Sequence, residues 1–260
     1  MLGWLRARRR RKWAELPFPA EWDAIIGRNV AYDNLLDDSE RARLRDFVQV
    51  FLREKSFEGC GGLELDDEIR VTIAAQAGIL LLGREHEYYR NVQSILVYPS
   101  TVITPDRPLG SFEISDAPRP KGVPILGEAQ LRGPVILVWD AVVKGARHPE
   151  QGHDVVYHEF AHKLDMLDGA ADGTPPLATR EEMARWVEVC EKEFLELQSR
   201  VKRGRKTFLN EYGATNEAEF FAVATEFFFD RPGAMQKHEP ALYDLLREFY
   251  GQDPAQRQGS

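Results

Sequence analysis

Asp154-Val-Val-Tyr-His158-Glu159-Phe-Ala-His162-Lys-Leu-Asp165-Met-Leu-Asp168-Gly169 is the stretch whose reading decides this chain. Residues four apart share a face of an α-helix, so His158 and His162 can reach one point in space, with Glu159 beside them. Val155, Val156, Phe160, Ala161 and Leu164 make that helix apolar around most of its circumference. Asp154 suits its N-cap, and Gly169 suits a stop shortly after its end. The plain alternative is a partly buried polar pair. Burying two imidazoles and a carboxylate in such a helix is costly unless something satisfies them, and a metal ion does so. The pattern therefore predicts a zinc site with Glu159 as the general base that deprotonates a water molecule.

Working outward, the chain is helical on both sides of a β-rich middle. Ser39 to Lys55 carries Leu44, Phe47, Val48 and Phe51 at helical spacing, and Asp66 to Leu82 predicts a second helix. Gly59, Gly61 and Gly62 break the chain between them. From Val92 the signal changes. Ser94–Tyr98, Val102–Ile103, Ser111–Ile114 and Pro134–Trp139 read as strands bounded by Gly and Pro turns. Arg180 to Arg200 is a helix with a Thr179/Glu182 capping box, followed by helices over Asn216–Phe229 and Glu239–Phe249. The expected class is α+β, mostly helical, with a small mixed sheet beside the His158/His162 helix. The strand Val135 to Trp139 is expected to present an edge to an extended substrate.

The chain has 260 residues, a formal net charge of −8 and a pI near 5.4, which argues against a general nucleic-acid binder. Its two cysteines, Cys60 and Cys190, form no disulfide framework and lack zinc-thiolate spacing, consistent with free thiols in a reducing cytoplasm. No segment approaches the roughly twenty apolar residues of a membrane span. Residues 1–16 are basic (Arg6, Arg8, Arg9, Arg10, Arg11 and Lys12) and lack the apolar core of a signal peptide. With Leu2, Trp4 and Leu5 they suit an anionic membrane or an acidic partner, but a solvated, frayed terminus is the favoured reading. Residues 17–251 read as one domain and 252–260 as a tail.

A catalytic zinc site needs a third protein ligand and one open position. Asp168, six residues past His162, is one candidate, although Asp165 stands where related motifs place a bending glycine. Asp165 and Asp168 are alternatively outer carboxylates that orient imidazole N–H groups, or turn residues. The other candidate is an acid of the later helix: Glu217, Glu219 or Glu226. Glu219 shares a face with Ala222, Val223 and Glu226, whereas Glu217 points almost oppositely. A capping box with Asn216 is the plain reading of Glu219. Geometry alone leaves Glu219 only slightly ahead.

Tyr212-Gly-Ala-Thr-Asn-Glu-Ala-Glu219-Phe-Phe-Ala222 resembles a segment of the catalytic domain of anthrax lethal factor, a zinc metalloprotease. Together with His158-Glu-Phe-Ala-His162-Lys-Leu-Asp165 and the strand ending Trp139-Asp140, the pattern from Pro17 to Gly251 resembles the Mlc titration factor A family of metallopeptidases. The resemblance implies a gluzincin-like fold, zinc held by His158, His162 and Glu219, and Tyr212 facing the metal. It also implies aminopeptidase-type hydrolysis of a peptide or protein substrate, and a transcriptional repressor as a candidate partner. The rival readings are a binding protein that sequesters a repressor and a toxin-like endopeptidase. His86, His148, His153 and His238 receive no role, and His153 reads as a loop or helix-start residue.

Overall fold

The computed structural model describes residues 2–100, 127–129 and 133–258. In chain order it builds α1 (Leu2–Ala14), α2 (Ala20–Asn29), α3 (Asp38–Glu54), β1 (Ser56–Gly59), α4 (Asp67–Ile79), β2 (Ser94–Tyr98), β3 (Gly127–Ala129) and β4 (Val135–Val138). There follow α5 (Trp139–Arg147), α6 (Val155–Asp165), α7 (Arg180–Lys202), α8 (Glu217–Asp230), α9 (Pro232–His238), α10 (Pro240–Tyr250) and α11 (Pro254–Gln258). The class is α+β and mostly helical.

Local chemistry fixes the helix starts. Asp37 and Glu40 form a capping box for α3, as Thr179 and Glu182 do for α7. Asp66 caps α4 through the Ile69 N–H, and Asp154 caps α6 through the Val156 and Tyr157 N–H groups. Every residue of α4 from Val71 to Ile79 is buried, because α2, α3, α5 and α6 pack around it.

The sheet is small and mixed, in the order β1-β2-β4-β3. β1 pairs parallel with β2 and β2 with β4, while β3 runs antiparallel to β4. Parallel neighbours need a long crossover, and α4 supplies it between β1 and β2. β4 therefore has a hydrogen-bonded neighbour on each side. It is not an edge, which corrects the expectation that Val135–Trp139 offers an edge to substrate. The expected strands at Val102–Ile103 and Ser111–Ile114 lie outside the described residues.

Both ends differ from expectation. Residues read as frayed form α1, which lies along α3. Its anchor is Arg10, whose Nε and Nη2 each donate to a Glu54 carboxylate oxygen at 2.8 Å, with Arg6 adding longer bonds. The residues read as a tail are also held. Buried Gln252 donates to the Ile79 carbonyl (2.8 Å), and Arg257 bonds the Tyr32 hydroxyl (2.6 Å) and Glu40. Polar anchors on distant helices explain both differences.

One apolar cluster runs from Ile25 to Tyr250. α8 lies within it, buried from Phe220 to Asp230. Trp186 of α7 sits edge-on to Phe221 (5.5 Å) and Phe249 (5.2 Å), and Phe228 stacks on Tyr250 (5.6 Å). With α8 enclosed, its carboxylates must find partners inside the protein. α6 packs directly against it.

Candidate metal centre

α6 carries His158 and His162 one turn apart, and α8 brings Glu219 across to them. His158 Nε2 lies 3.0 Å from Glu219 Oε2 and 3.2 Å from His162 Nε2; the Glu219 oxygen is 3.4 Å from His162 Nε2. Two nitrogens and one oxygen thus form a nearly equilateral triangle. Among the described residues this is the one group of three or more His, Cys, Asp or Glu residues with such convergence. Donors about 2.1 Å from a tetrahedral zinc ion stand roughly 3.4 Å apart, so the spacing suits such an ion. Imidazole nitrogen and carboxylate oxygen are also the donor types zinc takes in open sites.

Glu219 is placed by its helix start. Asn216 accepts the Glu219 N–H at 2.9 Å, but the Glu219 carboxylate turns to the histidines instead of closing a capping box. Glu217 is exposed. Burial works against charge on Glu219, yet the bonds to His158 and His162 outweigh it and hold the carboxyl well below its usual range. His158 behaves in the complementary way. Burial disfavours its cation, but bonds to Glu219 and Glu226 raise its pKa well above the ordinary value. The pocket therefore attracts positive charge.

Behind His158 stands Glu226, 2 % exposed and seven residues past Glu219 on α8. Its Oε1 is 2.7 Å from His158 Nδ1. Its Oε2 accepts the Asp154 N–H at 3.0 Å and lies 3.2 Å from His153 Nδ1. Burial raises the Glu226 pKa, but the bonds from His153 and His158 prevail and lower it. An ionised carboxylate only accepts, so His158 Nδ1 donates to Glu226, which leaves Nε2 as the nitrogen that would face a metal. The network continues outward. Asn210 Nδ2 donates to His153 Nε2 (2.9 Å), and Asn210 Oδ1 accepts the Tyr212 N–H (2.9 Å).

Tyr212 sits in the 3-10 turn Glu211–Ala214, half exposed, its ring 6.0 Å from that of His158. Glu159 is buried on α6, three residues before His162 and so on its side of the helix. Asp168 is exposed and accepts the Ala170 N–H, a turn role. Asp165 accepts the Gly173 N–H at 2.9 Å, and burial pushes its pKa up to about 6. Gly173 itself has φ +78°, and a Cβ there would meet the Glu217 carbonyl oxygen at 2.3 Å. Only glycine lets this loop lie against the start of α8.

Of the residues that the sequence reading assigned to the site, the structure brings His158, His162 and Glu219 within 3.4 Å of one another and the Tyr212 ring to 6.0 Å from that of His158, and it places Glu159 on the same helix as the histidines. The sequence reading weighed Glu226 only as a candidate ligand, not as the partner of His158 Nδ1, and it gave His153 no role. The available signal was a carboxylate at i+7 from Glu219 on a helix with no polar face. It sought the outer carboxylate at Asp165 and Asp168, which serve the following loop.

Comparison with known proteins adds an independent line. Residues 4–251 match the model of a family described as glucose-regulated metallo-peptidase M90. An uncharacterized protein of Synechocystis sp. is 35 % identical over 254 residues, 95 % of this chain and 89 % of its own length. Proteins named Mlc titration factor A are 30 % identical in Serratia proteamaculans, over 85 % of this chain and 84 % of theirs, and in Salmonella agona, over 85 % and 83 %.

Proposed function

From the premise that this chain belongs to the glucose-regulated metallo-peptidase M90 family, we propose that it is a zinc-dependent peptidase of aminopeptidase type, working in the cytoplasm on peptide or protein substrates. The observation that carries this reading is the 3.0–3.4 Å triangle of His158, His162 and Glu219, with Glu159 on the same helix. Those three side chains would hold the ion. When bound, zinc supplies a Lewis acid that acidifies water and polarises the scissile carbonyl.

The chain's own groups carry the remaining steps. Glu159 takes a proton from the attacking water and returns it to the leaving amine nitrogen, so one carboxylate serves as base and then as acid. The Tyr212 hydroxyl donates a hydrogen bond to the carbonyl oxygen as negative charge builds there. Glu226 holds the His158 ring and its tautomer, so no reorientation is needed on binding. A structural site has no use for a base and closes its fourth position, so the presence of Glu159 favours catalysis.

The name Mlc titration factor A, borne by relatives, favours a second reading: a regulator that binds a transcriptional repressor. The two readings are compatible on one chain. Metal analysis of purified protein, paired with Glu219→Gln and Asp168→Asn, tests the first. About one zinc per chain is expected, lost in Glu219→Gln and kept in Asp168→Asn. Wild-type protein that takes up no zinc, or the reverse order of the two variants, overturns the assignment.

A further inference from the structure

We propose that α1 is a docking helix for an anionic lipid bilayer. The inference is independent of the metal centre. Arg6 and Arg10 fix which way the helix faces, because both reach the Glu54 carboxylate, whose side chain is 3 % exposed. The Arg10 guanidinium also lies 4.4 Å over the Tyr88 ring. With that side held against the protein, the opposite arc of about 160° holds Arg11, Trp4, Arg8, Lys12, Leu5 and Arg9. All six are exposed, Trp4 at 65 % and Leu5 at 54 %.

The charge pattern is specific to this helix. α1 contains no acid, although the whole chain has a net charge of −8. Among the described residues, Arg8, Arg9, Arg11 and Lys12 form no ion pair. Two of them lie over aromatic rings, Arg8 over Trp4 at 5.6 Å and Arg9 over Trp13 at 5.0 Å. Solubility alone does not ask for a wholly cationic face on an acidic protein. An anionic surface does, and it would repel the remaining body and so orient the protein with α1 downward.

Trp4 and Leu5 decide the kind of surface. A duplex or an acidic peptide could pair with the cations but would leave the indole and the leucine in water. A bilayer accepts both at neighbouring depths, with cations at the phosphates and Trp4 and Leu5 at the acyl boundary. Four surface-held cations raise partitioning to an anionic membrane on the order of 10²–10³-fold, an advantage that salt removes.

Co-sedimentation of the full chain with vesicles tests the proposal. Protein should pellet with mixed phosphatidylcholine and phosphatidylglycerol, remain in solution with phosphatidylcholine alone, and dissociate as salt is added. Arg8→Gln/Arg9→Gln/Arg11→Gln/Lys12→Gln leaves Arg6 and Arg10 in place, so it should keep wild-type circular dichroism while losing most binding. Trp4→Ser/Leu5→Ser, a milder change to the same face, should weaken binding at unchanged charge. Equal affinity for neutral vesicles, full binding by a folded quadruple variant, or no binding by wild type each overturns it. So does preferential capture by duplex DNA of matched charge, which would reassign the face to nucleic acid.

Discussion

Replacing Glu226 by glutamine keeps the side chain's size and removes one acceptor. The carboxylate now serves two donors at opposite oxygens, His158 Nδ1 at 2.7 Å and the Asp154 N–H at 3.0 Å, with His153 Nδ1 beside the second. A carboxamide cannot satisfy both sides. If its NH2 faces Asp154, two donors oppose each other at the entrance to α6. If it faces His158, the ring must take the other tautomer, and the hydrogen moves to the nitrogen that a metal needs. Loss of an outer partner of this kind weakens metal binding about 10–100-fold, or roughly 1.4–2.7 kcal/mol. Competition against a chromophoric chelator measures the constant directly, and apoprotein melting reports any damage to the fold. A Glu226→Gln variant whose zinc affinity stays within about twofold of wild type, about 0.4 kcal/mol, would refute the reasoning. Glu226 would then be only a brace for the start of α6.

Glu159→Gln should retain zinc and the native melting profile yet hydrolyse no peptide. Tyr212→Phe should keep metal and lower turnover about 10²-fold; unchanged turnover reduces the tyrosine to packing. A repressor-like partner, if captured by wild type, should also be captured by Glu159→Gln, and a pull-down beside a peptide assay checks both. Trp186→Ala empties a site 1 % exposed and frees the Gly173 carbonyl that the indole N–H holds at 3.0 Å, so urea unfolding should show a loss of about 3–5 kcal/mol. Lys55 is buried with its Nζ on the Tyr89 and Val92 carbonyls, and burial brings its pKa down from 10.5 to about 8. Between those values the unfolded chain binds more protons, so stability should rise with pH across that window in wild type relative to Lys55→Met. Parallel pH profiles for the two proteins would count against this burial cost.

The legible parts were those whose cause lies nearby in sequence. α6 announced itself through two histidines one turn apart among Val156, Phe160 and Leu164, α3 through periodicity, and α7 through its Thr179/Glu182 capping box. β1 was hidden because Ser56, Phe57, Glu58 and Gly59 offer one large apolar residue in four; its strand geometry comes from pairing with β2. α1 was read as frayed because its anchor, Glu54, belongs to another helix. The role of Glu226, named only as a candidate ligand, escaped for the same reason: it depends on His158, sixty-eight residues away in sequence and 2.7 Å away in space. Glu219 was within reach of helical geometry but not separable from a capping role until the family resemblance was weighed.

The attachment of the C-terminal residues to the first third of the chain has a consequence during synthesis. Gln252 closes on Ile79 and Arg257 on Tyr32 and Glu40, so α3, α4 and the turn at Tyr32 meet these partners only once residues 252–257 are made. At about 5–20 residues per second, the stretch from Ile79 to Arg257 takes on the order of ten to forty seconds to appear. During that interval the Ile79 carbonyl and the Tyr32 hydroxyl lack these partners. α8 emerges shortly before the same closing residues, so a chain interrupted before residue 217 lacks both Glu219 and Glu226. A prematurely ended product would carry the two histidines without the two carboxylates that face His158.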